Sequence, residues 1–345
     1  MSKALTFSED QIEEFQVKLK DSVFSSVSED EYHNSVEFGE IVANEILAWA
    51  STDGYKETRG LRYTSFEEDG KWIPTPPAYI NGIEPFWSTI RPFVLDSANQ
   101  FKPVKSTEFS TQKGSRFYNE VMEVYQVSEG MSEEQKEIAA FWDCNPFVMN
   151  TLGHVMYATK KITPGGHWLG ITQIANKNTN ADIMKSLEAY TLVSVAIADG
   201  FIGSWDEKYR SNLIRPETVI NAYIDEEWIP LLQTPPFPEY PSAHSVISKA
   251  ASVVLTNLFS ENFDFVDTSE EKYGLPARSF NSFQEAAEEA AISRLYGGIH
   301  YMPAIKNGLV QGEEIGKKVI TTVKTKKGDN SHILDLSSVV KPKEF

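Results

Sequence analysis

Between Ala181 and Trp205 the chain reads ADIMKSLEAYTLVSVAIADGFIGSW, and wound at helical pitch this stretch is apolar over most of its circumference. A helix with so little polar face belongs inside a protein, so the spacing predicts a central, buried helix. Asp199 interrupts the run, which falls short of the roughly 18 clean apolar residues expected of a membrane span. Amphipathic periodicity continues on both sides. FSEDQIEEFQVKLKDSVF (7–24) and VEFGEIVANEILAWA (36–50) repeat apolar residues every three or four positions. SEEQKEIAAFW begins a helix with Ser132 as its N-cap. HSVISKAASVVLTNLF, FQEAAEEAAISRLY and PAIKNGLVQGEEIGKKVI complete the helical set. Residues 51–115 are rich in Pro, Gly and Trp and read as an ordered loop with short helices. TPGGHW (163–168) also reads as a loop. The expectation is a mainly α protein: a single multi-helix domain over residues 1–345, with a helical-bundle core, long structured loops and a peripheral tail at 322–345.

Composition narrows the partners. The 345 residues carry a formal net charge of −17, which would repel nucleic acid and anionic membranes, though a local cationic pocket could still hold a small anion. We therefore expect small-molecule substrates, no nucleic acid and no membrane insertion. The lone cysteine, Cys144, excludes an intramolecular disulfide and a multi-cysteine zinc site, and reads as a packed thiol. The N-terminus lacks the apolar core of a signal peptide. The protein is expected to be cytoplasmic, or periplasmic or secreted if the chain is a processed or trimmed form.

Three segments can carry chemistry. In SWDEKYRSNLIRPETVI, Lys208 and Arg215 are seven apart and would share a face of a continuous helix, but Pro216 biases Arg215 out of the helical region. In TPPFPEYPSAHSVISKAAS, four prolines forbid a helix before Ser242. Ser242 then caps an apolar helix, and the Ala243 amide points out of its first turn, an anion-binding geometry with His244 beside it. In SRLYGGIH, Arg294 lies in a last helical turn, Gly297 and Gly298 can end that helix in a left-handed conformation, and His300 follows at the junction before Pro303. Each segment alone is commonplace: two solvated cations, a capped helix, a structural histidine. Together they supply three cations, a helix N-terminus and two histidines. That inventory can hold a tetrahedral trianion beside a nucleophile or ligand and an acid/base.

Lysine, six residues, Arg-Pro; then Pro-Ser-x-His; then Ser-Arg, three residues, Gly-x-His: this joint spacing resembles the superfamily uniting vanadium-dependent haloperoxidases, type 2 phosphatidate phosphatases and bacterial acid phosphatases. WDEKYRSNLIRP, PPFPEYPSAHS, SRLYGGIHY and the earlier GKWIPTPPAY look like the bacterial haloperoxidase branch, and the resemblance covers roughly residues 35–316. Relatives of this type carry a further helical section and an export signal, so a shortened form is expected here. The resemblance implies that His300 bonds vanadium axially, or attacks phosphorus. Lys208, Arg215 and Arg294 would neutralise the equatorial oxygens, with Ser242 and the Ala243 amide as donors. His244 would be the acid/base, with Lys208 assisting catalysis, and Phe237 would shape the halide side.

Two departures stand out. Ala243 replaces the usual glycine of Ser-Gly-His, and Ala304 replaces an aspartate that usually fixes the apical histidine, so another acceptor must hold the second ring nitrogen of His300. The implied function is a vanadate-dependent haloperoxidase oxidising a halide with hydrogen peroxide. The alternatives are an acid phosphatase using phosphohistidine on a phosphoester, with phosphate in the same site, and a non-catalytic phosphate- or vanadate-binding protein. His154 and His167 are too far apart for a helical two-histidine metal motif. His167 beside Trp168 is expected to be structural, with a place at the pocket mouth as the lesser reading.

Overall fold

A computed structural model describes residues 8–22, 24–65, 68–146, 148–152, 154–158 and 161–325. From residue 326 onward the predicted peripheral tail lies outside the described residues. The chain divides into two compact units, Met1–Gly60 and Leu61–Phe345. The first holds α1 (Glu9–Ser22), α2 (Glu29–Ala50) and the single turn α3 (Tyr55–Thr58). Ser28 and Glu31 form a reciprocal capping box at the start of α2. Neither α1 nor α2 buries a residue, and Phe38, Ile41, Ile46 and Trp49 of α2 are exposed.

In the second unit, the described residues of 61–115 are irregular apart from one 3₁₀ turn at Trp87–Thr89 and a single antiparallel bridge from Lys71 to Leu213, as the Pro/Gly content predicts. Then come α4 (Arg116–Glu129), α5 (Glu133–Phe141), α6 (Pro164–Asn178), α7 (Ile183–Ser211), α8 (Pro216–Tyr223), α9 (Ala243–Leu258), α10 (Phe283–Tyr296) and α11 (Met302–Thr322). Ser132 caps α5 as expected, with Gln135 returning the bond. TPGGHW is a correction: it is the start of α6, not a loop. Thr163 accepts from the Gly166 amide and Pro164 occupies the first turn, so a cap and a pre-set φ outweigh the two glycines. Two short antiparallel hairpins went unread in the sequence. They pair β1 (Met149–Leu152) with β2 (Val155–Ala158) and β3 (Phe265–Asp267) with β4 (Arg278–Phe280).

The core forms where α9 meets α7, α10 and α11. Gly308, Gly312 and Gly316 recur every four residues on α11 and face α9. A Cβ at Gly308 would lie 2.8 Å from the Ser242 carbonyl oxygen, so glycine lets the two backbones touch. This contact fixes the N-terminal end of α9, where the site is built. The predicted central helix is α7, which packs into the core between Ala189 and Lys208 and leaves Ile183, Met184 and Leu187 of its first turns exposed. By length and mean hydropathy it passes for a membrane span, alone among the described helices, even though Asp199 interrupts its apolar run. Its Asp199, fully buried, accepts the backbone N–H groups of Phe93 (2.7 Å), Val94 (2.8 Å) and Leu95 (3.1 Å), which ties the long loop to the helix. Burial pushes its carboxyl up, and the three amides hold it down. Asp199→Ala should strand three buried donors and lower stability by about 3 kcal/mol or more, read from denaturant unfolding. A loss under about 1 kcal/mol would mean the loop finds other acceptors.

Candidate active site

The three segments converge on one cavity of about 360 Å³ in the second unit. His300, His244, Ala243 and Arg294 line its polar end, and Trp87, Phe201, Trp205 and Phe237 form an apolar wall. The cations arrive by a route the sequence spacing did not suggest. Lys208 sits in the last turn of α7, which ends at Asn212 in the left-handed region (φ 50°). Arg215 is beyond that break, as the N-cap of α8 with Pro216 at its first turn. The two cations therefore approach from either side of a chain reversal, not along one helix face. Among the glycines ending α10, only Gly298 is left-handed (φ 75°); Gly297 is right-handed (φ −66°), which corrects the paired reading. A side chain at Gly298 would also meet Trp228 and Pro230 at 3.1 Å.

His300 is held in one tautomer. Its Nδ1 lies 2.8 Å from Glu239 Oε1, which also accepts the Tyr301 amide at 2.9 Å. Its Nε2 lies 3.2 Å from Nη1 of Arg215, a group that can only donate. Nδ1 therefore carries the hydrogen and Nε2 the lone pair. Glu239 is the acceptor that the sequence demanded once Ala304 replaced the aspartate; the Ala304 carbonyl instead accepts the Ser242 amide at 3.1 Å. Burial pushes the Glu239 carboxyl up to about 7, against the pull of Arg215 and Lys208. Burial, then Arg215, Lys208 and Arg294, hold His300 well below the usual imidazole range, so it stays neutral, its Nε2 lone pair facing the Arg215 donor.

His244 follows the same logic. Its ring is hydrogen-bonded to the Trp142 carbonyl, which leaves Nε2 without a partner at the cavity. Burial and Arg294 keep it neutral. Ser242 is the N-cap of α9, accepting from Ser245 at 3.3 Å, and Ala243 begins the helix, as the prolines and Ser predicted. Arg294 donates through Nη2 to the Trp142 carbonyl (2.6 Å) and through Nε to Ser293 (2.9 Å). Arg215 donates to the Phe237 and Ile299 carbonyls at 2.9 and 2.7 Å, and its Nη2 is buried without a partner. Lys208 differs: its three N–H groups are spent on the carbonyls of Pro238 (3.0 Å), Glu239 (3.1 Å) and Pro241 (2.5 Å). It clamps the turn that carries Glu239, and reaches an anion only by releasing a carbonyl. The Phe237 ring packs 5.2 Å from both Lys208 Nζ and the Arg215 guanidinium carbon.

The other histidines lie elsewhere. His154 is exposed. His167 is fully buried, stacked on Trp142 (4.5 Å, 19°), and does not line the cavity. Cys144 is more than a packed thiol: its Sγ is 3.3 Å from His167 Nδ1. The sequence reading missed Glu239, the Trp142 carbonyl and these His167 partners. Only Glu239 left a local trace, as a lone carboxylate among prolines and aromatics in PPFPEYP.

Arg294, the start of α9 and two buried histidines on one cavity, with Lys208 and Arg215 packed behind it, can hold an oxyanion beside a nitrogen ligand and an acid/base. Residues 188–328 match the family model described as the VCPO second helical-bundle domain. The crystal structure of the first bacterial vanadium-dependent iodoperoxidase is similar at 53% identity and a TM-score of 0.86, covering 94% of this chain and 77% of that one. Holo- and apo-type bacterial vanadium-dependent chloroperoxidase share the fold at 18% identity and a TM-score of 0.62, covering 81% of this chain and 71% and 72% of theirs. No curated protein matches. The chain belongs to the vanadium-dependent haloperoxidase family, enzymes whose cofactor is vanadate.

Proposed function

We propose that this protein oxidises a halide with hydrogen peroxide on a vanadate ion bonded to His300 Nε2. The observation that carries the reading is a pair of buried, unpartnered atoms around the His300 ring, His244 Nε2 and Arg215 Nη2, with His300 Nε2 itself engaged by Arg215 Nη1 at 3.2 Å. Unpartnered polar atoms are costly to bury. A partly protonated tetrahedral oxyanion meets both, accepting from Arg215 Nη2 and donating a hydroxyl to His244 Nε2, and reaches His300 Nε2 once the guanidinium turns to its oxygens. When bound, vanadate supplies Lewis-acid activation of peroxide. The chain's own residues do the rest. Glu239 fixes the His300 ring so that its lone pair faces the ligand. Arg294 and Arg215 oppose the oxyanion charge, the Ala243 amide and Ser242 hydroxyl donate to it, and Lys208 adds charge while holding the turn. His244 Nε2 accepts the peroxide proton as base and returns one to the leaving oxygen as acid. The aromatic wall excludes water and strengthens each charge interaction. Iodide is the first halide to test, given the 53% identical iodoperoxidase.

Glu239 also keeps phosphoester hydrolysis open as a second reading. The loss of the usual aspartate at Ala304 argued against a nucleophilic His300, but a carboxylate does orient it. Arg294→Ala distinguishes a built anion site from incidental surface charge. Vanadate affinity should fall by about 1.5–3 kcal/mol in a calorimetric titration, the range of a charge-assisted hydrogen bond. A change below about 1 kcal/mol, typical of exposed pairs, would remove Arg294 from the site.

A further inference from the structure

A second cluster adjoins the same cavity, which its Cys144 helps to line. Cys144 Sγ is 3.3 Å from His167 Nδ1, and Glu270 Oε1 is 3.2 Å from the same nitrogen. The three ligand atoms all lie within 4.8 Å of one another. On the far side of the ring, His167 Nε2 lies 2.7 Å from Asp267 Oδ2. Cys144 and His167 are fully buried, and the Glu270 side chain is 5% exposed.

The arrangement does not close as hydrogen bonds. Nδ1 can carry at most one hydrogen, yet a thiol sulfur and a carboxylate oxygen both face it. Glu270 Oε1 is a buried acceptor with no hydrogen-bond partner. The one imidazole also stands between two buried carboxylates, Asp267 and Glu270. Lys161 is bound to Asp143 instead, and Lys272 sits on the Tyr273 ring. A cation among the three atoms resolves both problems. Ligand atoms around a tetrahedral zinc ion, with bonds of about 2.0–2.3 Å, lie roughly 3.2–3.6 Å apart, the spacing of the two contacts to Nδ1. Asp267 occupies the position of the carboxylate that orients a metal-bound histidine through its other nitrogen.

We infer that Cys144 Sγ, His167 Nδ1 and Glu270 Oε1 form a zinc-type metal site, adjacent to the oxyanion site and oriented by Asp267. The fourth position falls to the second Glu270 oxygen or to water. The ion would tie together three segments distant in sequence: the 142–146 stretch, the first turn of α6 and the turn after β3. The first of these includes the Trp142 carbonyl, which accepts from Arg294 and His244. The metal would therefore brace the floor of the oxyanion site without touching the reactants.

The test is metal content of the full-length protein, stripped with a chelator, given Zn(II) alone and gel-filtered, together with the spectrum after Co(II) loading. We expect one zinc per chain and a thiolate-to-cobalt charge-transfer band. Both should be lost in Cys144→Ser, zinc retention should be lost in Glu270→Gln, and both should persist in His300→Ala. Far-UV circular dichroism checks folding of each variant. Should a variant fail to fold, the wild-type cobalt spectrum decides alone. No retained zinc, no charge-transfer band, or equal retention in folded Cys144→Ser would overturn the assignment and leave a metal-free polar network.

Discussion

Vanadate binding should collapse in His300→Ala, by at least about a hundredfold or ~2.7 kcal/mol, in a calorimetric titration of metal-free protein. Every other group at the site contributes a hydrogen bond or a charge, whereas His300 offers a lone pair on a ring that cannot reorient. Glu239 takes the Nδ1 hydrogen and is itself fixed by the Tyr301 amide, so the ring stays in place and Nε2 meets a ligand once Arg215 Nη1, 3.2 Å away, turns to the ligand's oxygens. Burial and the surrounding cations keep that nitrogen unprotonated. Equal affinities in wild type and His300→Ala, with folding intact, would remove His300 from the site. Glu239→Gln is the companion experiment. An amide can still accept from Nδ1, so a small loss would locate Glu239's role in geometry and a large one in its charge.

His244→Ala should behave in the opposite way. Turnover should fall by roughly 10²–10⁴-fold, the usual worth of a positioned acid/base, while vanadate stays bound. The reason is again an unpaired atom: the ring donates to the Trp142 carbonyl, and Nε2 faces the cavity free. Steady-state halide oxidation alongside the titration separates the two histidines. Loss of vanadate affinity in His244→Ala comparable to that in His300→Ala would make His244 a ligand, and the assignment of roles would fail.

Much of this was legible in the sequence because it is local. The apolar circumference of Ala181–Trp205 announces the core helix, Ser132 and Ser242 announce caps, and Pro216 announces the break that delivers Arg215. The motifs bring Lys208, Ser242, Arg294 and His300 to one site through short, stereotyped spacings. What escaped the sequence is long-range. Glu239 reaches His300 across 61 positions, and nothing near Ala304 points to it. The Cys144–His167–Glu270 cluster joins segments up to 126 residues apart (270 − 144), so no spacing rule encloses it. The start of α6 was misjudged for a different reason. Gly165 and Gly166 suggest a loop when read by propensity, but the cap at Thr163 and the proline after it settle the conformation. Lys208 shows a further limit: its charge was predictable, but not its engagement by three carbonyls of the turn it supports.

The most direct test is to add orthovanadate to metal-free wild-type protein and follow peroxide-dependent iodide and bromide oxidation, with phosphomonoester hydrolysis measured in parallel. Vanadate should switch halide oxidation on, and inorganic phosphate should suppress it by competing for the same cations and helix N-terminus. Brisk ester hydrolysis by the vanadate-free protein, with no halide oxidation at any vanadate concentration, would contradict it.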